Sequence, residues 1–457
     1  MTPRDALASL WQHTGLPDEA LRFADLAGSD PVYPSSFAIG TAAQASVAAA
    51  ALAAAELGHL RGQPRQRVAV DMAQAATECT AWFAIDGQAP DLWDPFSGLY
   101  RCADGWVRVH ANFRHHRDGA LRLLALDPAT ATREQAEQAM ARWKALDYEE
   151  ASARARLVAT ALRTFAQWDA TPQGQAVASQ PLVEVERMGD APVLALPELP
   201  TTQRPLEGVK VLDLTRILAG PVAGRALAAY GADVMLVNSP HLPNIDAIAD
   251  TSRGKRSCHV DLTTAEGRAT FDRLLSEAHV LIQGYRPGGL DALGYGPEAL
   301  ARKRPGLVAI WLSAYGRRGP WAERRGFDSL VQTAMGFNHA EGEAAGGGPK
   351  PLPMQILDEA TGLLMAAMAA SLVHRQQREG GSWLARLSLA QTGHWLRSLG
   401  RVERGLSAQP PSRERWVETV DSGFGRLSGI THSAILSATP ARWTRPSVPP
   451  GDSPPRW

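Results

Sequence analysis

The stretch LEGVKVLDLTRILAGP, residues 206–221, reads as a strand, a turn and the start of a helix. Val209 to Leu214 is a short apolar run, which predicts a buried strand. Pro221 suits the first turn of a helix, because the N–H that proline lacks has no partner there. A turn that opens a helix presents free backbone N–H groups to a phosphate or a carbonyl oxygen. The stretch therefore predicts a β–turn–α unit whose turn can accept an anion.

The same alternation continues along the chain after this unit. We predict further strands and helices, in the order 233–237 (strand), 265–278 (helix), 280–283 (strand), 297–304 (helix), 307–312 (strand), 361–373 (helix) and 384–389 (strand). Strands joined by helices of this length pair in parallel, because the chain must cross back over the sheet between them. The predicted fold class is α/β, with a parallel sheet and a second, smaller domain.

The chain before this unit has a different pattern, and a proline-rich stretch separates the two. Four prolines and no periodicity in residues 192–205 predict a linker, which we take as the main domain boundary. The predicted parts are a helical segment (1–95), a small α+β domain with strands around Asp104-Gly105 (96–191), the linker (192–205), the parallel-sheet domain (206–400) and an extended C-terminal tail (401–457).

Composition restricts the class of protein. The 457 residues carry 47 Lys+Arg against 47 Asp+Glu, and a general nucleic-acid binder needs a basic surplus. Three cysteines without a C-x-x-C pair argue against a disulfide scaffold and predict a cytoplasmic location. Residues 1–10 lack the apolar region of a signal peptide. The alanine-rich stretch 42–57 is too polar for a convincing membrane span, so we expect a buried helix and no membrane contact.

Several common site motifs are missing. The first turn lacks the G-x-G-x-x-G spacing, and the second strand ends in Asn238 rather than in an acid, which disfavours a nicotinamide dinucleotide. No G-x-S-x-G sequence is present, which disfavours an acyl hydrolase. Three histidines, at positions 110, 115 and 116, have no accompanying Cys or acidic ligand pattern, so we expect a surface cluster and no metal site. Basic clusters at 253–256 and 317–325 suit either a phosphate group or a solvated loop.

Ordered motifs across the second half of the chain resemble one known family. They are the opening stretch 206–221, GADV (231–234), RGKRS (253–257), YRPG (285–288), SAYG (313–316), GFDSLVQ (326–332), LDEATG (357–362) and, in the tail, LSATPARW (436–443). Together they are similar to the family III coenzyme A (CoA) transferases, which include the carnitine and bile-acid enzymes and α-methylacyl-CoA racemase. The resemblance implies a Rossmann-like CoA-transferase domain with a smaller α+β domain.

The resemblance also implies a covalent mechanism at one residue. Asp358 matches the catalytic aspartate of the family, whose carboxylate attacks an acyl-CoA thioester to give a mixed anhydride and free CoA. CoA then forms an aspartyl thioester, and an acceptor carboxylate finally takes over the CoA. Splitting one exchange into such steps is covalent catalysis. The alternative to a catalytic role is that Asp358 caps the helix that follows it.

Other positions acquire binding roles from the same resemblance. The residues expected to contact CoA are Ile217, Leu218, Ala219, Lys255, Gly284, Tyr285 and Arg325. Among them, Lys255 is expected at the CoA phosphates, and Gly284 and Tyr285 near the adenine. Asp328, Leu218 and Ala219 are expected to border the active site. Acyl-CoA is then a substrate, alongside a small carboxylic acid, and no tightly bound cofactor is implied.

Three departures from the family pattern leave alternatives open. Phe327 stands where the racemases carry a histidine, and a racemase needs an acid/base group on each face of the α-carbon. An acyl-CoA racemase or isomerase is therefore the less favoured reading. Leu218 and Ala292 replace a glutamine and an arginine found in some transferases. These replacements leave the carboxylate specificity open. They also leave open the alternative that the chain is a CoA-binding homologue without catalytic activity.

The order of the segments is also unusual for the family. The first 200 residues resemble the back half of the family core, and the pattern of apolar helix, basic turn, strand and helix occurs at 40–80 and again at 362–397. The position that corresponds to Asp358 in the first copy lies near Gly40 to Ala42, where no carboxylate occurs. We therefore expect one active centre. Because the family forms interlocked dimers, we expect a homodimer, in which the front segment supplies contacts that a partner chain usually makes.

Overall fold

The computed structural model describes residues 1–457, with sixteen strands and sixteen α-helices. The strands are β1 (Ala24–Ala27), β2 (Val68–Asp71), β3 (Phe83–Ile85), β4 (Gly98–Arg101), β5 (Trp106–Val109), β6 (Ala159–Ala161), β7 (Glu184–Gly189), β8 (Lys210–Leu214), β9 (Asp233–Asn238), β10 (Arg256–His259), β11 (Val280–Gln283), β12 (Val308–Ser313), β13 (Ser382–Ser388), β14 (Val417–Ser422), β15 (Gly425–Ile430) and β16 (Ala434–Leu436).

The helices alternate with these strands most regularly in the second half of the chain. They are α1 (Pro3–Trp11), α2 (Ile39–Leu60), α3 (Met72–Glu78), α4 (Arg114–Leu123), α5 (Arg133–Met140), α6 (Ala145–Arg154), α7 (Phe165–Asp169), α8 (Pro172–Ala178), α9 (Ala219–Ala229), α10 (Ile248–Thr251), α11 (Ala265–Glu277), α12 (Pro297–Lys303), α13 (Asp328–Met335), α14 (Phe337–Ala344), α15 (Ile356–Glu379) and α16 (Leu389–Ser398).

A seven-stranded sheet forms the centre of the parallel-sheet domain. Its strand order is β10-β9-β8-β11-β12-β13-β7, and every neighbouring pair is parallel except β13 with β7. The central parallel strands β8, β9 and β11 are mainly apolar and buried, as expected for a sheet covered on both faces. This confirms the predicted α/β class. The antiparallel edge strand β7 comes from before the proline-rich stretch, so both halves of the chain contribute to one sheet.

The two longest helices, α2 and α15, pack against each other at the core. By length and composition alone each could cross a membrane, but both are buried inside the fold. Alanine dominates α2, and its small side chains allow the helix axes to approach closely. Both have the burial of core helices, which agrees with the reading of residues 42–57 as a buried helix.

Three small sheets surround the core. They show strands in the N-terminal segment and in the C-terminal tail that the sequence did not predict. The predicted hairpin around Asp104-Gly105 is confirmed, because β4 and β5 pair antiparallel, and β6 adds to β5. The N-terminal segment, expected to be helical, contributes β1 to a parallel pair with β2. The C-terminal tail, expected to lie extended, forms the β14–β15 hairpin and the strand β16, which pairs with β2. These pairings join distant segments, so no local pattern announces them.

Candidate active site

A cavity of about 520 Å³ opens at the carboxyl ends of β8, β11 and β12. This edge is where open parallel sheets bind ligands. The cavity is lined by the turn 215–221, the loop 284–290, the segment 324–327, Asp358, Leu389 and, from the small domain, Phe113, His115 and His116. Residues on both sides of the proline-rich stretch therefore form one cavity within a single chain.

The turn after β8 is held by a buried acid. Asp213 Oδ1 accepts hydrogen bonds from the Thr215 backbone N–H at 3.0 Å and from its hydroxyl at 2.5 Å. Leu218 precedes the first turn of α9, and Ala219 begins that helix. An added Cβ on Gly220 would overlap the Thr215 side chain, so glycine allows the turn to fold this tightly. Ile217, Leu218 and Ala219 all line the cavity at the positive end of the α9 dipole.

Asp358 is the third residue of α15. It lines the cavity although only 8% of its surface is exposed. Its backbone N–H donates to Asp328 Oδ2 at 2.9 Å. Burial, and then the negative charge of Asp328, raise the pKa of Asp358 well above its ordinary value, and a hydrogen bond from the Ala219 backbone opposes the shift. The two carboxyl groups therefore titrate as a coupled pair.

Asp328 lies behind the cavity, with no exposed surface, and begins α13. Burial raises its pKa, while the hydrogen bonds from the Asp358 backbone and from Gln332 act in the opposite direction. Gln332 donates to Asp328 Oδ1 at 2.5 Å and to the Met354 carbonyl at 3.2 Å, and its own oxygen accepts from the Leu352 N–H at 3.1 Å. This network fixes the segment that leads into α15, so Asp328 positions Asp358.

Lys255 does not reach the cavity. It is 1% exposed, and its Nζ donates to Asp213 Oδ2 and to the Pro221 carbonyl, both at 2.8 Å. An added Cβ on Gly224 would crowd that ammonium group, so α9 leaves just enough room for it. The expected phosphate contact is therefore corrected: Lys255 holds the end of β8 against the start of α9.

The loop after β11 approaches the turn from the other side. Gly284 and Tyr285 both line the cavity, and the Tyr285 N–H donates to Gln283 Oε1 at 2.8 Å. The Tyr285 ring is partly buried, and the neighbouring Arg286 lines the same cavity. A half-buried aromatic ring beside a guanidinium is suited to a base carrying phosphates.

Three arginines surround the cavity without a carboxylate partner: Arg216, Arg286 and Arg325. Arg216 donates to the Pro243 carbonyl at 2.6 Å, and Arg325 donates to the Arg156 carbonyl at 3.0 Å. By contrast, Arg324 is paired with Glu149 and Glu150. Uncommitted guanidinium groups at a cavity favour an anionic ligand, because they bind phosphate and carboxylate bidentately.

Two of the three histidines expected at the surface, His110 and His116, are buried against this site. His110 is 6% exposed, and its ring stacks on Phe327 with centroids 3.9 Å apart and an interplanar angle of 15°. His116 is also buried, and Arg325 Nη1 lies 3.1 Å from its Nε2. Burial lowers the pKa of both rings to about 3, so they are neutral. The surface prediction was wrong for His110 and His116, because the small domain packs against Phe327 and Arg325 there, whereas His115 is exposed.

Several known proteins are similar in sequence to this chain. The family model described as CoA-transferase family III matches residues 16–201 and 206–419. An acyl-CoA transferase of Gibberella moniliformis is 31% identical over 312 residues, covering 64% of this chain and 55% of that protein. A succinate–glutarate CoA-transferase of Agrobacterium fabrum is 32% identical over 236 residues, covering 47% of this chain and 58% of that protein.

Among solved structures, a hypothetical protein from Mycobacterium tuberculosis is 32% identical, with a TM-score of 0.40, and the match covers 43% of this chain and 58% of that one. The chain thus spans somewhat more than half the length of the relatives it matches. The family model, in contrast, covers both halves of the chain on either side of the proline-rich stretch. The chain therefore belongs to CoA-transferase family III.

Proposed function

We propose that this chain is a CoA-transferase that moves CoA from an acyl-CoA donor to a carboxylic acid through Asp358. One observation carries the proposal: Asp358 is a buried carboxylate that lines a cavity together with three arginines that have no carboxylate partner. A nucleophilic carboxylate there would meet the thioester of a ligand whose phosphates lie among Arg216, Arg286 and Arg325. Family membership supports the same reaction class.

The first half of the reaction would move CoA from the donor acyl group to Asp358. An Asp358 oxygen attacks the thioester carbonyl, the C–S bond breaks, and CoA leaves as a thiolate, so a mixed anhydride forms on Asp358. The thiolate then attacks the aspartyl carbonyl, and the donor acid leaves as a carboxylate. An aspartyl-CoA thioester remains. Each step develops an oxyanion, which the backbone N–H groups at the start of α9 are suited to stabilise.

The second half would repeat these steps with the acceptor. The acceptor carboxylate attacks the aspartyl thioester and expels the CoA thiolate, which gives an anhydride between the acceptor and Asp358. The thiolate attacks the acceptor carbonyl of that anhydride, and Asp358 leaves as a free carboxylate. No proton, electron or water is consumed overall. Exclusion of water from this largely buried carboxylate protects both intermediates from hydrolysis.

We propose a small dicarboxylic acid as acceptor, since one relative is named for succinate and glutarate. Racemisation is less well supported. Phe327 has no acid/base group, and the nearby His116 has a pKa lowered to about 3 by burial, with its Nε2 beside Arg325. Neutral imidazole of such low basicity is a poor proton acceptor. The homodimer and the cytoplasmic location stay predictions.

Trapping the intermediate tests the proposal. The protein is incubated with a panel of acyl-CoA donors and hydroxylamine, and peptides are examined by mass spectrometry for a hydroxamate on Asp358. We expect the adduct in the wild type and in Asp190→Asn, a control at a side chain that is 96% exposed, but not in Asp358→Asn. CoA binding without an adduct from any donor would instead identify a homologue that has lost its chemistry.

A further inference from the structure

Glu359 is a buried acid that directly follows Asp358 in the first turn of α15. It is 1% exposed, and its Oε1 is buried without a hydrogen-bond partner. Its Oε2 lies 3.9 Å from Nη2 of Arg225, a buried residue of α9. Because α9 begins at Ala219, which lines the cavity, this contact joins the helix of the candidate nucleophile to the helix that starts at the turn 217–219.

Arg225 is shared among three acids. It pairs with Asp250, and its Nη2 lies 3.9 Å from Glu78 Oε1 as well as from Glu359 Oε2. Asp250 also pairs with Arg253. The cluster therefore contains two arginines and three carboxyl groups, each at most 5% exposed. Charges buried to this extent are stable only when they are balanced, so one of the three acids must carry a proton.

Glu78 is ionised, because its oxygens accept hydrogen bonds from three donors. Its Oε2 accepts from the Ser433 N–H at 2.8 Å and from the Ser433 hydroxyl at 2.6 Å, and its Oε1 accepts from His432 Nδ1–H at 2.8 Å. The Tyr230 hydroxyl, which has no other acceptor, donates to His432 Nε2 at 2.7 Å, so this imidazole is neutral. Burial acts to raise the pKa of Glu78, but its contacts with His432, Arg225 and Ser433 lower it to about 2.

Glu359 lacks such donors and is therefore the acid that keeps its proton. Its Oε1 has no donor and its Oε2 has only the contact with Arg225, whereas Asp250 pairs directly with both arginines. Burial raises the pKa of Glu359 to about 8, Arg225 opposes the shift, and neighbouring acids add to it, so the side chain is uncharged at neutral pH. The titratable groups that face it, over all the elements packed against it, are Arg225 of α9, Glu78 of α3 with the adjoining Cys79, Asp358 of α15 itself and Asp328 of α13.

We infer that Glu359 is a positioning residue, which keeps its proton and holds the first turn of α15 against α9 through Arg225. The two helices approach closely here, since an added Cβ on Gly362 would overlap the Ala219 carbonyl. Their spacing sets where the backbone N–H groups of the turn lie relative to the Asp358 carboxylate. An ionised Glu359 would place a second negative charge beside Asp358, where each step develops an oxyanion. The inference rests on the proposed transferase reaction and adds a residue that acts through Asp358.

Transfer kinetics across pH test this role, with succinyl-CoA as donor and glutarate as acceptor. Glu359→Ala removes the contact with Arg225 and should lower kcat by about 10- to 100-fold, with KM within about threefold of the wild type. Glu359→Gln should recover most of this loss, because an amide replaces the protonated acid without adding a charge. In the wild type, ionisation of Glu359 should lower kcat by about tenfold between pH 7 and pH 9, and this decline should be absent in Glu359→Gln.

Glu56→Gln is the matched control, because Glu56 is a buried acid of α2 that pairs with Arg65 at 2.9 Å and does not line the cavity. This variant should lower the Tm but keep the kcat and the pH profile of the wild type. The Tm is recorded at each pH, which separates unfolding from a change in rate. The same alkaline decline in the wild type and in Glu359→Gln, or equal changes of kcat and KM in Glu359→Ala, would overturn the inference.

Infrared difference spectroscopy of the resting protein determines the protonation state without turnover. We expect the carbonyl band of a protonated carboxyl group at pH 7, its loss in Glu359→Gln, and its loss in the wild type as pH rises through about 8. Hydroxylamine trapping at Asp358 reports separately on the transferase proposal, so either proposal can fail alone. Identical spectra of the wild type and Glu359→Gln at pH 7 would show that Glu359 is ionised and would contradict the inference.

Discussion

Helices α2 and α15 lie against each other in the core, and an aspartate from a preceding segment holds the first turn of each. Asp30 accepts from the Gly40 N–H at 3.1 Å and from the N–H and hydroxyl of Thr41 at 2.8 and 2.7 Å. Asp328 accepts from the Asp358 N–H at 2.9 Å. Thr41 and Asp358 are both the third residue of their helix. The third residue of α2 is therefore a threonine whose hydroxyl donates to Asp30, whereas the third residue of α15 is an aspartate whose carboxylate lines the cavity.

The resemblance continues beyond the two helices. A strand and a short helix follow each of them, and the residue before each short helix accepts from a glutamine N–H: Asp71 from Gln74 at 2.9 Å, and Ser388 from Gln391 at 3.2 Å. The same local framework therefore occurs twice in one chain. The difference is chemical, since only the second copy places an acid where the turn 217–219 can meet it. The small domain that follows the first copy contributes Phe113, His115 and His116 to the cavity.

We expect the largest difference between the two helices when the Asp358 carboxylate is removed. Asp358→Asn deletes the nucleophile, so kcat should fall by at least about 1,000-fold while the Tm stays near that of the wild type. Thr41→Val at the matching position removes one hydrogen bond, at about 1 kcal/mol of unfolding free energy, and should leave kcat unchanged. Transfer assays and urea denaturation measure both. Comparable loss of activity in the two variants would mean that the first copy takes part in catalysis.

A second pair of variants tests how closely a neighbouring backbone segment packs against each helix. Gly362 and Ala45 are both the seventh residue of their helix, but an added Cβ on Gly362 would overlap the Ala219 carbonyl. Gly362→Ala should cost about 1–3 kcal/mol through overpacking. It should also lower kcat by about 100-fold, because the turn moves away from Asp358. Ala45→Gly should cost about 1 kcal/mol in helix propensity alone, with unchanged kcat.

The pH dependence sharpens the contrast between the two capping aspartates. Burial raises the pKa of Asp328 to about 7, against about 3.9 in the unfolded chain. Between these two pH values the folded protein binds more protons than the unfolded chain. The stability that Asp328 contributes therefore falls as pH rises through this range. Asp328→Asn removes this loss, so its stability relative to the wild type should increase from pH 4 towards neutrality. The amide oxygen can still accept from the Asp358 N–H.

Activity of the same variant gives a second readout. Without the negative charge of Asp328 the pKa of Asp358 should fall, because that charge is one of the two causes that raise it. The acid limb of the kcat/KM profile should therefore shift to lower pH, since the nucleophile must be ionised. Chemical unfolding and initial rates across pH 4–8 measure the two effects. An unshifted acid limb would indicate that the two carboxyl groups do not interact.

The smallest expected effect is at the other capping aspartate. Asp30→Asn weakens the charge-assisted hydrogen bonds at the start of α2, and we expect a loss of about 1 kcal/mol. The kcat and its pH profile should both match the wild type. Calorimetry and initial rates test this outcome. A shifted pH profile in Asp30→Asn would show that the two helix ends are electrostatically linked.

Much of the parallel-sheet domain could be predicted from local sequence. The strands β8, β9, β11 and β12 and the helices between them lie within a few residues of their predicted positions. Buried parallel strands are mainly apolar runs, α11 begins directly after Thr264 and α12 begins at Pro297, so the signal is local. The antiparallel strand β7 and the pairing of β16 with β2 could not be predicted in this way, because their partners lie far away in sequence.

For the site, the sequence by itself determined the composition of the cavity wall near residues 217–219 and 284–285, and it pointed to Asp358 through its motif. Only the tertiary structure decided which charged groups are free. Lys255 belongs to a basic cluster that suits a phosphate, yet it is buried and donates to Asp213. Burial and pairing depend on segments that meet after folding, whereas strand and helix patterns depend on neighbours along the chain. The chemistry of a charged side chain is therefore set by the contacts that the fold brings to it.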